Sequence, residues 1–207
     1  YRGKLCGDLT VACLDENEFM VFGSGAAQEM HRRWFESHLD KFNVNYKNRS
    51  DEYHGLSIAG PNSRKVLEKI VREDVTNEKF KFRDSRRMFV GGVPAIINRI
   101  SFTGELGYEI YVAPHYQLKL YEELMEAGKE FNIKPFGGRA LMSMRLEKNW
   151  GAWTLDYRPD FTAKETGLDA FINWDKEFIG KESAQKENSS NKLIPLIVET
   201  NDIDVTN

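Results

Sequence analysis

The stretch from Gly91 to Val112 constrains the fold most. Gly91-Gly92 opens a pair of strand-like runs, Val93 to Phe102 and Tyr108 to Val112, and Thr103-Gly-Glu-Leu-Gly107 connects them. A connection this short between alternating apolar runs makes a hairpin.

A second hairpin is expected near the start, where Leu9 to Leu14 and Glu18 to Gly23 flank the turn Asp15-Glu-Asn17. Tyr53 to Ala59 alternates as a further strand. Between the strands, Met30, Trp34, Phe35 and Leu39 recur at helical spacing and predict an amphipathic helix over 26–39. Gly60-Pro61-Asn62 breaks the strand before it and starts a helix from Ser63 to about Ile70. Tyr116 to Phe131 and Gly138 to Glu147 also read as helices. Hairpins mixed with helices predict an α+β fold of mixed or antiparallel sheets with packed helices, rather than a doubly wound parallel sheet. At 207 residues and 41% hydrophobic content, the chain has enough apolar material for a core and for one or two domains. Both ends read as cut from a longer polypeptide, and residues 186–192, rich in Ser, Asn and Lys, are the loosest segment.

Charge removes several function classes. The 29 basic and 32 acidic residues leave a net charge of -3, so there is no basic field to gather nucleic acid or an anionic membrane. The two cysteines, Cys6 and Cys13, read as reduced core thiols of an intracellular protein, a disulfide between them being left open. Neither has a histidine in its sequence context that would mark a nucleophile. His31, His38, His54 and His115 are scattered singly, so no metal is expected. Gly23-Ser-Gly-Ala26 matches neither a Walker loop nor a dinucleotide fingerprint.

Three segments could carry chemistry. In Ser101-Phe-Thr-Gly-Glu-Leu-Gly-Tyr-Glu109, two glycines bend the backbone between two carboxylates, Glu105 and Glu109, and two aromatics, Phe102 and Tyr108. Such a turn suits a flat ligand. Residues two apart on a strand share a face, which sets Glu109 with Gly107 and Tyr111 and turns Tyr108 and Ile110 the other way. A carboxylate beside a glycine gap is able to accept two N–H bonds from an amino-pyrimidinone edge. Spacing alone favours the plainer reading, a solvated Glu109 and a simple hairpin. In the helix from Gly138, Arg139 lies near the N-terminal end, where a guanidinium offers a bidentate fork for a carboxylate; an ordinary surface arginine is the plainer alternative. Asp8 stands at the entrance of an apolar strand, either as a turn residue or, beside a ligand, as the group that holds an amine cation. Trp150-Gly-Ala-Trp153 with Tyr157 lines a pocket or fills a core.

Taken in order, Gly7-Asp-Leu-Thr-Val11, Leu56-Ser-Ile-Ala-Gly-Pro-Asn-Ser63, Phe102-Thr-Gly-Glu-Leu-Gly-Tyr-Glu109, Arg139-Ala-Leu-Met-Ser-Met-Arg-Leu-Glu-Lys148 and Phe178-Ile-Gly-Lys181 resemble the glycine-cleavage T-protein (aminomethyltransferase) family. The stretches Phe19 to Gln28 and Arg145 to Trp153 are most similar to the folate-binding domain fused to dimethylglycine and sarcosine dehydrogenases. The resemblance implies α+β modules and a C-terminal β-barrel around a channel for tetrahydrofolate. Residues 1–185 would then be an N-terminally incomplete folate-binding domain, and 186–207 a linker and the start of the barrel. It implies a catalytic role for Asp8 near N10 and pterin reading by Glu109. It also implies ring stacking by Phe102, where relatives have Tyr, and a folate-side arginine at Arg139. Ser24 falls where T-proteins place an Asn, a departure that fits the dehydrogenase branch. Glu105, Tyr108 and Trp153 complete the expected cofactor-binding set.

The implied activity moves a methylene or aminomethyl unit from a small methylated amine, such as dimethylglycine or sarcosine, to tetrahydrofolate, giving 5,10-methylenetetrahydrofolate. A demethylase of the same fold acting on a sulfonium compound and a noncatalytic folate-binding regulator are the alternatives. FAD is implied only for an additional N-terminal part. The expected location is cytoplasmic, or the mitochondrial matrix in a eukaryote.

Overall fold

The hairpin expected between Gly91 and Val112 forms the centre of a four-stranded antiparallel sheet. In a computed structural model, which describes residues 2–201, the strands are β1 (Thr10–Asp15), β2 (Glu18–Phe22), β3 (His54–Ala59), β4 (Ser85–Val90), β5 (Val93–Asn98) and β6 (Gly107–Val112). The order in the large sheet is β3-β6-β5-β4, while β1 and β2 pair separately as an antiparallel hairpin. The helices are α1 (Gln28–Leu39), α2 (Ser63–Glu68), α3 (Gln117–Gly128), α4 (Gly138–Glu147) and α5 (Lys181–Gln185).

β4 is the strand that periodicity missed. Its sequence, Ser-Arg-Arg-Met-Phe-Val, looks charged because it is an edge strand, in which only Met88 and Val90 turn inward. Val90 pairs with Val93 across Gly91 and Gly92, whose φ values of 59° and 78° are those of a two-residue hairpin turn with both central residues left-handed. β5 ends at Asn98 rather than Phe102. There the chain leaves the ladder, and Arg99 donates its N–H to the Asp84 carbonyl at 2.9 Å.

One face of the sheet carries the hydrophobic core. Ile97 and Ile110, directly opposed on β5 and β6, are fully buried together with Tyr108, Val112 and Val90. Against them pack Val66 and Leu67 from α2, and Leu120, Leu124 and Ala127 from α3, whose spacing is that of one helical face. Each of these valines and leucines contributes about 1.5–3 kcal/mol by leaving water.

The chain divides into two compact units. Asp8–Trp150 holds the sheet, the hairpin and helices α1 to α4. The residues up to Gly7 join those from Gly151 onward to make the second unit, so the boundary expected at 185/186 falls inside it. Within that unit Leu5 donates its N–H to the Phe161 carbonyl at 2.9 Å, and Lys4 bridges to Thr162. Trp153 and Tyr157 are buried, and the Gly151 N–H donates to the Tyr157 hydroxyl at 3.0 Å. Thr162 and Glu165 close a turn reciprocally: the Thr162 N–H donates to Glu165 Oε2 at 2.8 Å, and the Glu165 N–H donates to Thr162 Oγ1 at 3.2 Å. Residues 202–207 of the expected barrel start lie outside the described residues.

The cysteines are in no disulfide among the described residues and are exposed, not core thiols as expected. Strand alternation is the reason for Cys13, since Ala12 takes the inward position on β1 and leaves Cys13 outward.

Candidate functional site

The second face of the large sheet, away from the core, carries a polar row. Reading across β3, β6, β5 and β4, Ser57 stands opposite Glu109, Glu109 opposite Asn98, and Asn98 opposite Ser85. The next row reads Gly55, Tyr111, Ile96 and Arg87 in the same order. Glu109 and Tyr111 share this face, and the Tyr111 hydroxyl donates to Glu109 Oε2 at 2.8 Å.

Glycine at position 55 makes room for the Tyr111 ring, because a Cβ there would stand 3.0 Å from its Cε1. The β1–β2 hairpin packs on the same face. Phe22 lies against Tyr111 with ring centroids 4.3 Å apart, and Glu18 pairs with Arg87. Between the hairpin, α1 and the loop that precedes β3 opens a cleft of about 470 Å³. Its walls include Leu9, Phe22, Ser24, His31, Tyr53 and Tyr111.

Burial sets the electrostatics. Desolvation pushes the Glu109 carboxyl above its ordinary range, opposed in part by the hydrogen bond from Tyr111. The Tyr111 hydroxyl is pushed up as well, by burial first and then by the neighbouring carboxylate. Asp8, half-buried just before β1, also has its carboxyl raised by desolvation. Its chain neighbour Leu9 lines the cleft.

The remaining expected residues are spread out. Ser24 lines the cleft. Phe102 is half-buried and Glu105 exposed in a turn that Ser101 and Thr103 hold together, with their hydroxyls 2.7 Å apart. Tyr108 points to the opposite face from Glu109, into the core, and its ring stacks on Phe80 at 5.8 Å. Arg139 is exposed in the first turn of α4. Trp153 belongs to the other unit.

Sequence reasoning placed Tyr111 beside Glu109 but gave it no role, and it passed over Asn98, Phe22 and Tyr53. Asn98 did leave a signal, a carboxamide closing the apolar run Val93-Pro-Ala-Ile-Ile. No group of three or more His, Cys, Asp or Glu able to hold a metal ion occurs among the described residues. No helix among them is long and apolar enough to cross a membrane.

Comparison with known proteins gives the arrangement a family. The mitochondrial dimethylglycine dehydrogenase of Homo sapiens is 36% identical over 211 residues, covering 98% of this chain and 24% of that protein. The aminomethyltransferase of Thermoanaerobacter pseudethanolicus is 30% identical over 189 residues, covering 90% of this chain and 51% of that protein. The crystal structure of glycine cleavage system aminomethyltransferase T from Bartonella henselae shares the fold, with a TM-score of 0.74 and 21% identity over 89% of this chain and 49% of that one. The chain thus spans about a quarter of the first relative and about half of the second. These matches bear out the resemblance read from the motifs. Residues 1–176 match the GCVT N-terminal domain, and the chain belongs to that family.

Proposed function

We propose that this chain binds the pterin ring of tetrahydrofolate through Glu109 and delivers a one-carbon unit to it from a methylated amine. The observation that carries this reading is the Glu109 carboxylate. It is half-buried, held from one side by Tyr111, and open to further donors, since an ionised carboxylate has about four acceptor sites. A flat heterocycle with an N–H edge fits that demand, and the aromatic walls of the adjoining cleft fit its rings.

When bound, the folate supplies two nitrogens, N5 and N10, that take up a methylene from an iminium with release of the free amine and one proton. The chain's own groups act around that exchange. Glu109 fixes the ring in register, and Tyr111 holds the carboxylate in place. Asp8, on the chain segment that enters the cleft wall at Leu9, holds the amine cation and takes the proton. Desolvation raises its carboxyl above the ordinary range, so it takes up a proton more readily than an exposed aspartate does. Ser24 and Phe22 support the ligand from the β2 side, Phe102 stacks on it, and Arg139 pairs with its carboxylate end. Holding the partners together supplies most of the rate.

Relatives of two names, dimethylglycine dehydrogenase and aminomethyltransferase, support the donor as a dimethylglycine-like, sarcosine-like or aminomethyl compound. Relatives named as mitochondrial support a mitochondrial location for a eukaryotic source. The test is methylene transfer to tetrahydrofolate from a formaldehyde-derived iminium of sarcosine, with wild type and Asp8→Ala. Turnover should fall by about two orders of magnitude in the variant while tetrahydrofolate affinity changes little. Equal turnover in both would remove Asp8 from the chemistry.

A further inference from the structure

Asn98 stands directly opposite Glu109 across β5 and β6, on the sheet face away from the core. The residue is 1% exposed, and neither Nδ2 nor Oδ1 has a hydrogen-bond partner among the described residues. A buried carboxamide left unpaired destabilises a fold, whereas an apolar group of the same shape does not. The strand accepts apolar side chains at the two preceding positions, Ile96 and Ile97, both buried. Packing therefore gives no reason for an amide at position 98.

Its neighbour supplies one. Directly opposed residues on antiparallel strands have Cβ atoms about 4.5–5.5 Å apart, so rotation about the Asn98 side-chain bonds brings Nδ2 within reach of the carboxylate. Glu109 accepts one hydrogen bond, from Tyr111 on its own strand. The other groups opposite it are Ser57 on β3 and Asn98 on β5. Arg87, on β4 in the next row, is engaged by Glu18 of the hairpin.

We propose that Asn98 is a positioning residue for Glu109: its carboxamide donates to the ionised carboxylate and aims it at the donor edge of the ligand. The ligand half of this inference rests on the reading of Glu109 as the pterin contact; the pairing of the two side chains does not. The stability lost by burying an unpaired amide is the cost of a donor held ready for a charge that forms in place.

The experiment compares wild type, Asn98→Leu, Glu109→Gln and the double variant in three measurements. At acid pH, where the Glu109 carboxyl is protonated, thermal unfolding of Asn98→Leu should occur at or above the wild-type temperature, because the amide there has no charge to donate to. The Glu109 carboxyl, followed by carbon-13 NMR without folate, should titrate about one pH unit higher in Asn98→Leu, since its ionised form has lost a donor. Tetrahydrofolate affinity should fall about tenfold on Asn98→Leu alone, with no further loss on top of Glu109→Gln. Asn98→Met gives the same comparisons if the leucine variant does not fold.

An unmoved titration, or an equal loss of affinity in both backgrounds, would overturn the proposal. A shifted titration with tetrahydrofolate affinity indifferent to both residues would uphold the pairing and refute the pterin reading instead.

Discussion

The Tyr111 hydroxyl donates to Glu109 Oε2 at 2.8 Å, two residues along the same strand, and the Tyr111 ring is also a wall of the cleft. One side chain thus connects the half-buried carboxylate to the space where a ligand would lie. Strand alternation puts the two on one face, and Gly55 on the neighbouring strand leaves room for the ring.

Removing that hydroxyl tests the link. Tyr111→Phe keeps the ring against Phe22 but takes a donor from a charged acceptor, so tetrahydrofolate affinity should fall about tenfold. Fluorescence titration at neutral pH measures it. An unchanged dissociation constant would separate Tyr111 from the site.

Glu109 should lower stability at neutral pH. Its folded carboxyl titrates above the unfolded value of about 4.3, so the folded state binds the extra proton across the window between the two. Stability contributed by the neutral form is present below that window and lost as pH rises through it. Glu109→Gln should therefore unfold at a higher temperature than wild type at pH 7, with the difference closing below about pH 4. Thermal melts across that range read the effect. A variant less stable at pH 7 would show the carboxylate to be a structural partner.

Space at Gly55 is a further control on Tyr111. A Cβ at this position meets the ring at 3.0 Å, a contact relieved by a shift of a few tenths of an ångström, whereas the branched methyls of valine cannot be absorbed that way. Gly55→Val should weaken tetrahydrofolate binding about tenfold or more and Gly55→Ala by less than about threefold. Equal effects in the two variants would contradict this account of the ring's placement.

Much of this was legible in the sequence, and the parts that were not have physical reasons. Alternation read the β5–β6 hairpin and set Glu109 with Tyr111, because period-two patterning is strong where one face is buried, as Ile97, Ile110 and Val112 are. The helix Gly138–Glu147 fell where expected. The helix expected from Ala26 begins at Gln28, since Gly25–Ala27 forms a tighter 3-10 turn first. β4 was missed because an edge strand with Arg86 and Arg87 shows half a pattern. Asn98 was missed because its meaning lies across the sheet, in its register with Glu109, and register between strands is not written in either strand alone.

The unit containing Gly151 and the residues after it has its own pH signature. Hydrogen bonds to Glu165, from Ser189 first and then from the Thr162 backbone, hold its carboxyl down to about 2. A depressed carboxyl contributes stability that is present above the unfolded value of about 4.3 and is lost as pH falls through the folded one. Near-ultraviolet circular dichroism of the buried Trp153 and Tyr157 should show wild type losing this unit's packing between about pH 4 and pH 2. Glu165→Gln, which removes the ionisable group, should lack that acid step. An acid transition identical in the variant would assign it to another carboxylate.

The most direct measurement is calorimetric titration of the chain with tetrahydrofolate, wild type against Glu109→Ala. The account predicts micromolar binding, about -8 kcal/mol, in wild type and its loss in a variant that remains folded. Binding of equal strength in both, or none to the folded wild type, would contradict Glu109 as the pterin-reading residue and leave the family relationship as one of fold alone.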